Sequence, residues 1–447
     1  MKAFKWVGIV FIVLSLVLSA CGGAPTAAPP PAAPVEAPTA VPPTQAPTEV
    51  PPTVAPAAVP TEVPPSAVPE PTLTAAEQWA KSNGVGPYQP ATEDWAAVEA
   101  AAKREGSVMV YANSSKFEKV LDAWKALYPD IALEGGDTDG IATKMRAEQE
   151  AGNVVGDVWF NSDGHLLYGE FMPNQWLWSY LPPGVVEPEV TAERPFALSR
   201  RAVDVWGYNQ QVHPEGCPIT NWWQLVEPEL QGKAYMEDPI ADPSTTAKIT
   251  LVVEHADDMA AAYQAFYGRD WTTDEAAAPD AFGIAPENAG YLWLKKLAQN
   301  KPGIQPGGDE VDEAFASLGM DPKVEPGYGF TGYSSYETTL DGELAMAPCL
   351  GLEPVVGILK ANYLAIANKA LHPNAAKLFI KFALSQEGFD PWNKIGTYPA
   401  VEGLTAAEGM PPMDELKLWA SDDAFAWANN SKVRDFWAIA LLSAPQK

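Results

Sequence analysis

Glu105-Gly-Ser-Val-Met-Val-Tyr-Ala-Asn-Ser-Ser115 places an unbroken apolar strand, 107–112, directly before a short polar loop. A strand without polar alternation suits a parallel sheet covered on both faces. The helix expected next carries Phe117, Val120, Leu121, Trp124 and Tyr128 on one face, and Pro129 ends it. Ser115 with Glu118 fits a capping box at its start. A further helix over about 138–150 leads into Asp157-Val-Trp-Phe160, again an apolar strand. Strand, helix and strand alternate, which predicts an open parallel sheet with helices on both sides.

Downstream, 202–208 reads as a strand, Trp222-Trp223-Gln-Leu225 as a short helix and 232–237 as another strand. Asp242-Pro-Ser-Thr-Thr246 is a turn that opens a helix running to about His255. Residues 268–288 read as an irregular insertion, 291–299 as a helix, and a Gly/Pro-rich tract then leads to Tyr333-Ser-Ser-Tyr336. The run 342–347 reads as a strand. Ala375, Leu378, Phe379, Phe382 and Ala383 share one helical face, which Gly388 closes.

Upstream, Lys2 and Lys5 precede the apolar run 6–18, too short for a comfortable membrane span, and the run ends in Leu18-Ser-Ala-Cys21. Small residues before a cysteine resemble a bacterial lipobox, which makes Cys21 the lipidated N-terminus and 1–21 a signal peptide. Residues 22–72 are rich in proline, with Thr48-Glu-Val-Pro-Pro52 repeated as Thr61-Glu-Val-Pro-Pro65. Such a stretch cannot pack a core and is expected as an extended stalk, reaching on the order of 150 Å. The remaining stretch of about 370 residues suits two lobes. A net charge of -28 argues against nucleic-acid binding, which needs a basic surface. In an oxidising compartment Cys217 and Cys349 either pair or stay as buried thiols.

Several blocks, in order, resemble the extracytoplasmic solute-binding proteins of ABC importers, in the branch that serves ferric iron, thiamine, polyamines and phosphonates. They are Glu105–Tyr111, Gly156–Phe160, Thr220–Leu225 with Leu230–Ala234, Asp238–Thr246, and His372–Phe382 through Gly388. The resemblance implies a type II periplasmic-binding-protein-like α/β fold. Its two lobes would be 73–203 and 204–348, with 349–447 returning to the first lobe and its last part free to pack on the second. It implies hinge crossings near Val203–Tyr208 and Pro348–Val356, a ligand between the lobes, and closure that an importer reads. The expected partners are a small solute, an ABC permease and the membrane through the lipid anchor, with the protein acting as a monomer and using no cofactor.

The candidate ligand contacts sit where strands end and helices begin, at the expected cleft edge. Ser114 and Ser115 offer hydroxyls and backbone N–H groups to an anion, although the same residues suit plain N-capping. Asn161, Ser162 and Asp163 follow the second strand, with Asp163 facing a ligand cation or stabilising a turn. The resemblance places Ser244, Thr245 and Thr246 where short hydroxyl residues cradle an anionic group. Tyr333, Ser334, Ser335 and Tyr336 open a helix on the second lobe, where an aromatic face would stack on a ligand. Most of the sixteen tryptophans are expected in cores, with Trp159 and Trp206 as candidates to border the cleft.

The ferric members resembled here bind iron through adjacent tyrosines after the counterpart of 342–347. This chain has Pro348-Cys-Leu-Gly-Leu-Glu-Pro354 there, so no metal site is expected. The four histidines are scattered, and no HExxH, CxxC or G-x-S-x-G motif occurs. The leading expectation is a non-enzymatic binding protein for a small, anion-bearing organic solute. A stalk-anchored hydrolase or lyase and a ligand-presenting partner of a membrane sensor are the alternatives.

Overall fold

The computed structural model describes residues 72–444 except 113, 115, 138 and 139. The signal peptide, Cys21 and nearly all of the expected stalk lie outside the described residues. Twelve strands join one continuous sheet: β1 (Ser107–Ala112), β2 (Ala132–Asp137), β3 (Val158–Asn161), β4 (Leu177–Trp178), β5 (Ala197–Asn209), β6 (Ala234–Glu237), β7 (Gly303–Gln305), β8 (Tyr328–Gly332), β9 (Met346–Pro348), β10 (Gly357–Ala367), β11 (Thr397–Pro399) and β12 (Leu418–Ala420). The path runs β2-β1-β3-β10-β5-β8-β6-β7. β2, β1 and β3 are parallel, as are β8, β6 and β7, and the four-strand centre joins them in antiparallel fashion.

The apolar runs explain the parallel parts. Val108, Val110, Tyr111 and Ala112 of β1 and all of β3 are buried, because helices cover both faces. At the edge, Gly135 of β2 passes so close to β1 that a Cβ there would lie 2.1 Å from the Val110 carbonyl oxygen.

β5 and β10 are the two long strands, and each serves both halves of the sheet. Leu364 of β10 faces Phe160 of β3 and Ala197 of β5, whereas the other end of β5 pairs Asp204–Gly207 with β8. Among the described residues the two larger hydrophobic cores form on either side of this shared pair, and a smaller third one gathers Val203, Val205, Val311 and Phe315. Of the larger two, one gathers Phe117, Trp124, Phe160, Phe379 and Phe382. The other gathers Trp206, Trp222, Trp223, Trp293 and Phe330. The expected two-lobed α/β architecture is therefore present.

Several expectations need correction. The return crossing is β10, one element later than Pro348–Val356; Cys349, Leu352 and Val355 instead pack into the second core. Trp159 and Trp206 do not border the cleft, since both are buried in cores. Some buried indole N–H groups find carbonyls: Trp222 donates to Val355 at 3.0 Å and Trp223 to Met259 at 3.0 Å. The helix Pro373–Ala383 ends before Gly388, which lies inside a following short helix, Gln386–Phe389. Within the Gly/Pro-rich tract the structure forms a helix, Gly308–Ala316, which buries Val311 and Phe315. The insertion 268–288 is pinned by Lys295, whose buried ammonium donates to the carbonyls of Ala276, Ala278 and Ile284 at 3.1, 3.0 and 3.1 Å. Its short helical turns pack on the helix Ala289–Gln299, on the second lobe. The C-terminal helix, Asp423–Leu442, packs on the helices Pro243–Glu254 and Ala289–Gln299 and touches 164–166 of the first lobe at its start.

Cys217 and Cys349 form a disulfide, with Cα atoms 5.3 Å apart. It ties the loop after β5 to the residue just past β9, across 132 positions of sequence. Closing so long a loop restricts the unfolded chain strongly. Replacing both cysteines with serine is expected to cost about 3–5 kcal/mol of unfolding free energy, measured by denaturant titration of the protein without its leader and stalk. A loss under about 1 kcal/mol would show that the crosslink restrains little.

Candidate binding cleft

Strand ends from the two lobes meet along the seam that β5 and β10 span. Period-two alternation puts Arg200 and Asp204 on the same face of β5. Asn362 and Lys360 of β10 pair with Arg200 and Ala202, and so share that face. Asp204 is 1% exposed and accepts two cations, Lys248 at 3.0 Å and Lys360 at 2.8 Å. Lys248 also reaches Glu237 at 3.1 Å. Burial would favour the neutral acid, but the charges of Lys248 and Lys360 outweigh it and hold the Asp204 carboxyl below its ordinary range. The same pairing holds Lys248 above its ordinary value although it is buried.

Arg200 is different. It is 9% exposed, and its one hydrogen bond goes from Nη1 to Ser199 Oγ at 3.4 Å. The guanidinium stacks on Trp392, 3.6 Å from the ring centre, with Phe160 at 5.1 Å. No carboxylate pairs with it among the described residues, and burial alone pushes its pKa down to about 9. A charge this buried normally has a counter-ion. Nearby, Lys116 is lowered by burial and then by Arg200 itself. Lys116 crosses the seam, its Nζ donating to Ser334 Oγ at 3.2 Å. Lys394 of the first lobe meets Glu337 of the second.

The expected contacts fall around this floor in different states. Ser115 lies outside the described residues, and the helix there opens at Phe117 with no side-chain cap. Ser114 Oγ accepts from Lys116 N at 3.3 Å. Asn161 Nδ2 donates to Asp163 Oδ2 at 2.7 Å, while Ser162 N donates to Asn161 Oδ1 at 2.7 Å. Asp163 Oδ1 is buried with no partner, and burial with Asp242 nearby raises its pKa to about 7.

At 242–246 the chain caps its own helix. Asp242 accepts from Ser244 N at 3.3 Å and Thr245 N at 2.9 Å. Thr245 Oγ1 donates within the cluster of Asp242 (2.7 Å) and Glu237 (3.0 Å), and Thr246 Oγ1 to Pro239 O at 2.5 Å. These two hydroxyls point inward, and an acidic side chain already occupies the helix N-terminus; Ser244 keeps its hydroxyl unpaired among the described residues. Tyr333 is buried and meets Gly396, so its ring is no open platform, while Tyr336 stays half-buried. Ser335 Oγ lies 3.5 Å from Thr331 Oγ1. Asp312, beside both hydroxyls, is raised to about 6 by burial, which those contacts only partly offset.

Sequence reading missed Arg200, Lys116, Asp204, Lys248 and Lys360. A signal was present: Ser199-Arg-Arg-Ala-Val-Asp204 puts three charges inside an otherwise apolar strand. Charges in a buried strand must be paired or serve a ligand.

No family model matches the chain, and no curated protein matches it. Solved structures do. Iron-bound HitA from Pseudomonas aeruginosa is 15% identical with a TM-score of 0.55, covering 75% of this chain and 99% of its own. The periplasmic binding protein P5PA is 18% identical with a TM-score of 0.56 over the same shares, 75% and 99%. AfuA from Actinobacillus pleuropneumoniae, with exogenous fructose-6-phosphate bound, is 17% identical with a TM-score of 0.52, again over 75% and 99%. At such identities the likeness is one of fold. In its shared β5–β10 pair and its two larger cores, this chain has the fold of the type II periplasmic binding proteins.

Proposed function

We propose that the protein captures a small, anion-bearing organic solute between its lobes and delivers it to an ABC permease. In this reading it is a monomeric lipoprotein, tethered at Cys21 by the stalk 22–72, with lobes 73–203 and 204–348 and the return 349–447. It is a binding protein, not an enzyme. The observation that carries the proposal is Arg200, a buried guanidinium at the seam with no carboxylate paired to it among the described residues. An anion entering the cleft would supply the missing counter-charge in a planar, two-pronged geometry. Lys116 on one lobe and Ser334 and Ser335 on the other stand close enough to complete the contacts when the lobes close. AfuA, a fold neighbour, was solved with a sugar phosphate, which is an anion-bearing solute of this kind.

The contacts assigned to Ser114, Ser115, Asn161, Ser162, Asp163, Ser244, Tyr336 and the Ser334–Ser335 pair belong to this proposal. Thr245, Thr246 and Tyr333 act in it as supports, since their polar atoms or faces are turned inward.

Native mass spectrometry of the purified protein identifies the bound solute, and calorimetry then compares wild type with Arg200→Met. Methionine fills the volume without the charge. Affinity is expected to fall by about 100-fold or more, with an unchanged or raised melting temperature because an unpaired buried charge is gone. A neutral solute, or one that binds the variant as tightly, would sink the proposal.

Asp163 is buried, with the charges of Asp242, Lys360 and Asp423 acting on it. Its folded pKa of about 7 exceeds the ordinary 3.8. Between those values the folded state holds the extra proton, so stability falls as pH rises through this window and levels off above it. Asp163→Asn is expected to flatten that slope, by on the order of 2–4 kcal/mol between about pH 5 and pH 8. Stability measured by denaturant at several pH values would refute this if the variant kept the wild-type slope.

A further inference from the structure

A second space opens at the seam, a small pocket with room for one water-sized group and with no lysine or arginine in its wall. Ser162 and His165 come from the first lobe, Thr250 and Glu254 from the helix Pro243–Glu254, and Asp422 from the start of the C-terminal helix. His165 is 4% exposed and makes no hydrogen bond among the described residues. Burial keeps its imidazole neutral, with a pKa pushed down to about 4, so the ring offers one donor and one acceptor. Glu254 Oε2 is buried without a hydrogen-bond partner among the described residues. Burial, and then the charge of Asp422, push Glu254 up to about 7.

Other acids on this wall are already engaged. Asp422 caps the C-terminal helix at Phe425 N, 2.8 Å away. Asp423 is held by Arg194 at 2.7 Å and by the Tyr363 hydroxyl at 2.6 Å. Thr250 Oγ1 donates to Thr246 O at 2.9 Å, which leaves its lone pairs facing outward as acceptors. What remains is a wall of acceptors around an orphaned carboxylate oxygen, a group that is costly to leave buried and unmatched. Among the described residues no group of three His, Cys, Asp or Glu side chains converges to hold a metal ion.

We propose that this cavity receives a protonated amine of the solute, with the ammonium donating to Glu254 Oε2, to a ring nitrogen of His165 and to the hydroxyl of Ser162 or Thr250. An ammonium has three donors and no acceptor, which matches this wall. Combined with the anionic end at Arg200, the solute is an amino-bearing anion, and only that second half rests on the function proposed above.

Calorimetry with O-phosphoethanolamine and with ethyl phosphate, which lacks the ammonium, tests the inference on wild type, Glu254→Gln and Arg200→Met. Wild type is expected to bind the ammonium-bearing probe about tenfold or more tightly than its partner, and Glu254→Gln to bring that ratio close to one. A ratio near one in the wild type, a ratio that survives Glu254→Gln, or binding of neither probe overturns it. If the ratio is near one but Arg200→Met abolishes binding of both probes, the anion reading stands and the ammonium site alone falls. If both probes still bind Arg200→Met while the ratio depends on Glu254, the anion reading falls and the ammonium site stands.

Discussion

The antiparallel pairing of β5 with β10 is the constraint on which the remaining structure depends. It carries the chain from one lobe to the other and back, and both halves of the sheet grow outward from it. Asp204 sits on this pair, holding Lys360 from the neighbouring strand and Lys248 from a helix of the second lobe. Two buried charges and the half-buried Lys360 are thereby gathered together, which is tolerable because each has a partner at about 3 Å. Removing one would strand the others. The ion cluster therefore ties the hinge strands to the helix whose N-terminus borders the seam.

A fixed, self-neutralised cluster makes the state of Arg200 informative. The two lie on one face of one strand, four residues apart, in comparably buried surroundings. Asp204 has its counter-ions within the fold, and Arg200 has an aromatic ring instead of a carboxylate. Stacking on Trp392 orients the guanidinium and contributes a modest attraction, but it does not neutralise the charge. The seam is thus divided by chemistry, with unpaired positive charge near the ends of β1 and β8 and orphaned acceptors near the end of β3. Glu254, Asp163 and Asp312 all hold their protons more tightly than free carboxylic acids, since burial removes water from each.

Much of the fold was legible from pattern. The apolar runs at 107–112 and 157–160, the helix carrying Phe117 to Tyr128 on one face, and the helix after Asp242 announced themselves through periodicity and turn chemistry. The elements that escaped had mixed signals. β10, read as Gly357-Ile-Leu-Lys-Ala-Asn-Tyr-Leu-Ala-Ile-Ala367, interrupts its apolar run with Lys360 and Asn362 because it is half core and half cleft floor. The helix Gly308–Ala316 hid in a tract whose flanking glycines and prolines read as loop. For the site, hydroxyl residues at strand ends were easy to nominate, yet Thr245 and Thr246 turn inward once Asp242 claims the helix N-terminus.

By itself the sequence determined the alternation of strands and helices and the polar turns that join them. These follow from local periodicity and turn chemistry, which operate over a few residues. Only the tertiary structure decided which charges are satisfied. Asp204 and Arg200 look alike in a string of letters. One is neutralised by a lysine forty-four positions along the chain and another far beyond it, and the other by no carboxylate among the described residues. Pairing of charges depends on distances across strands and lobes, and those exist only after the chain has closed on itself.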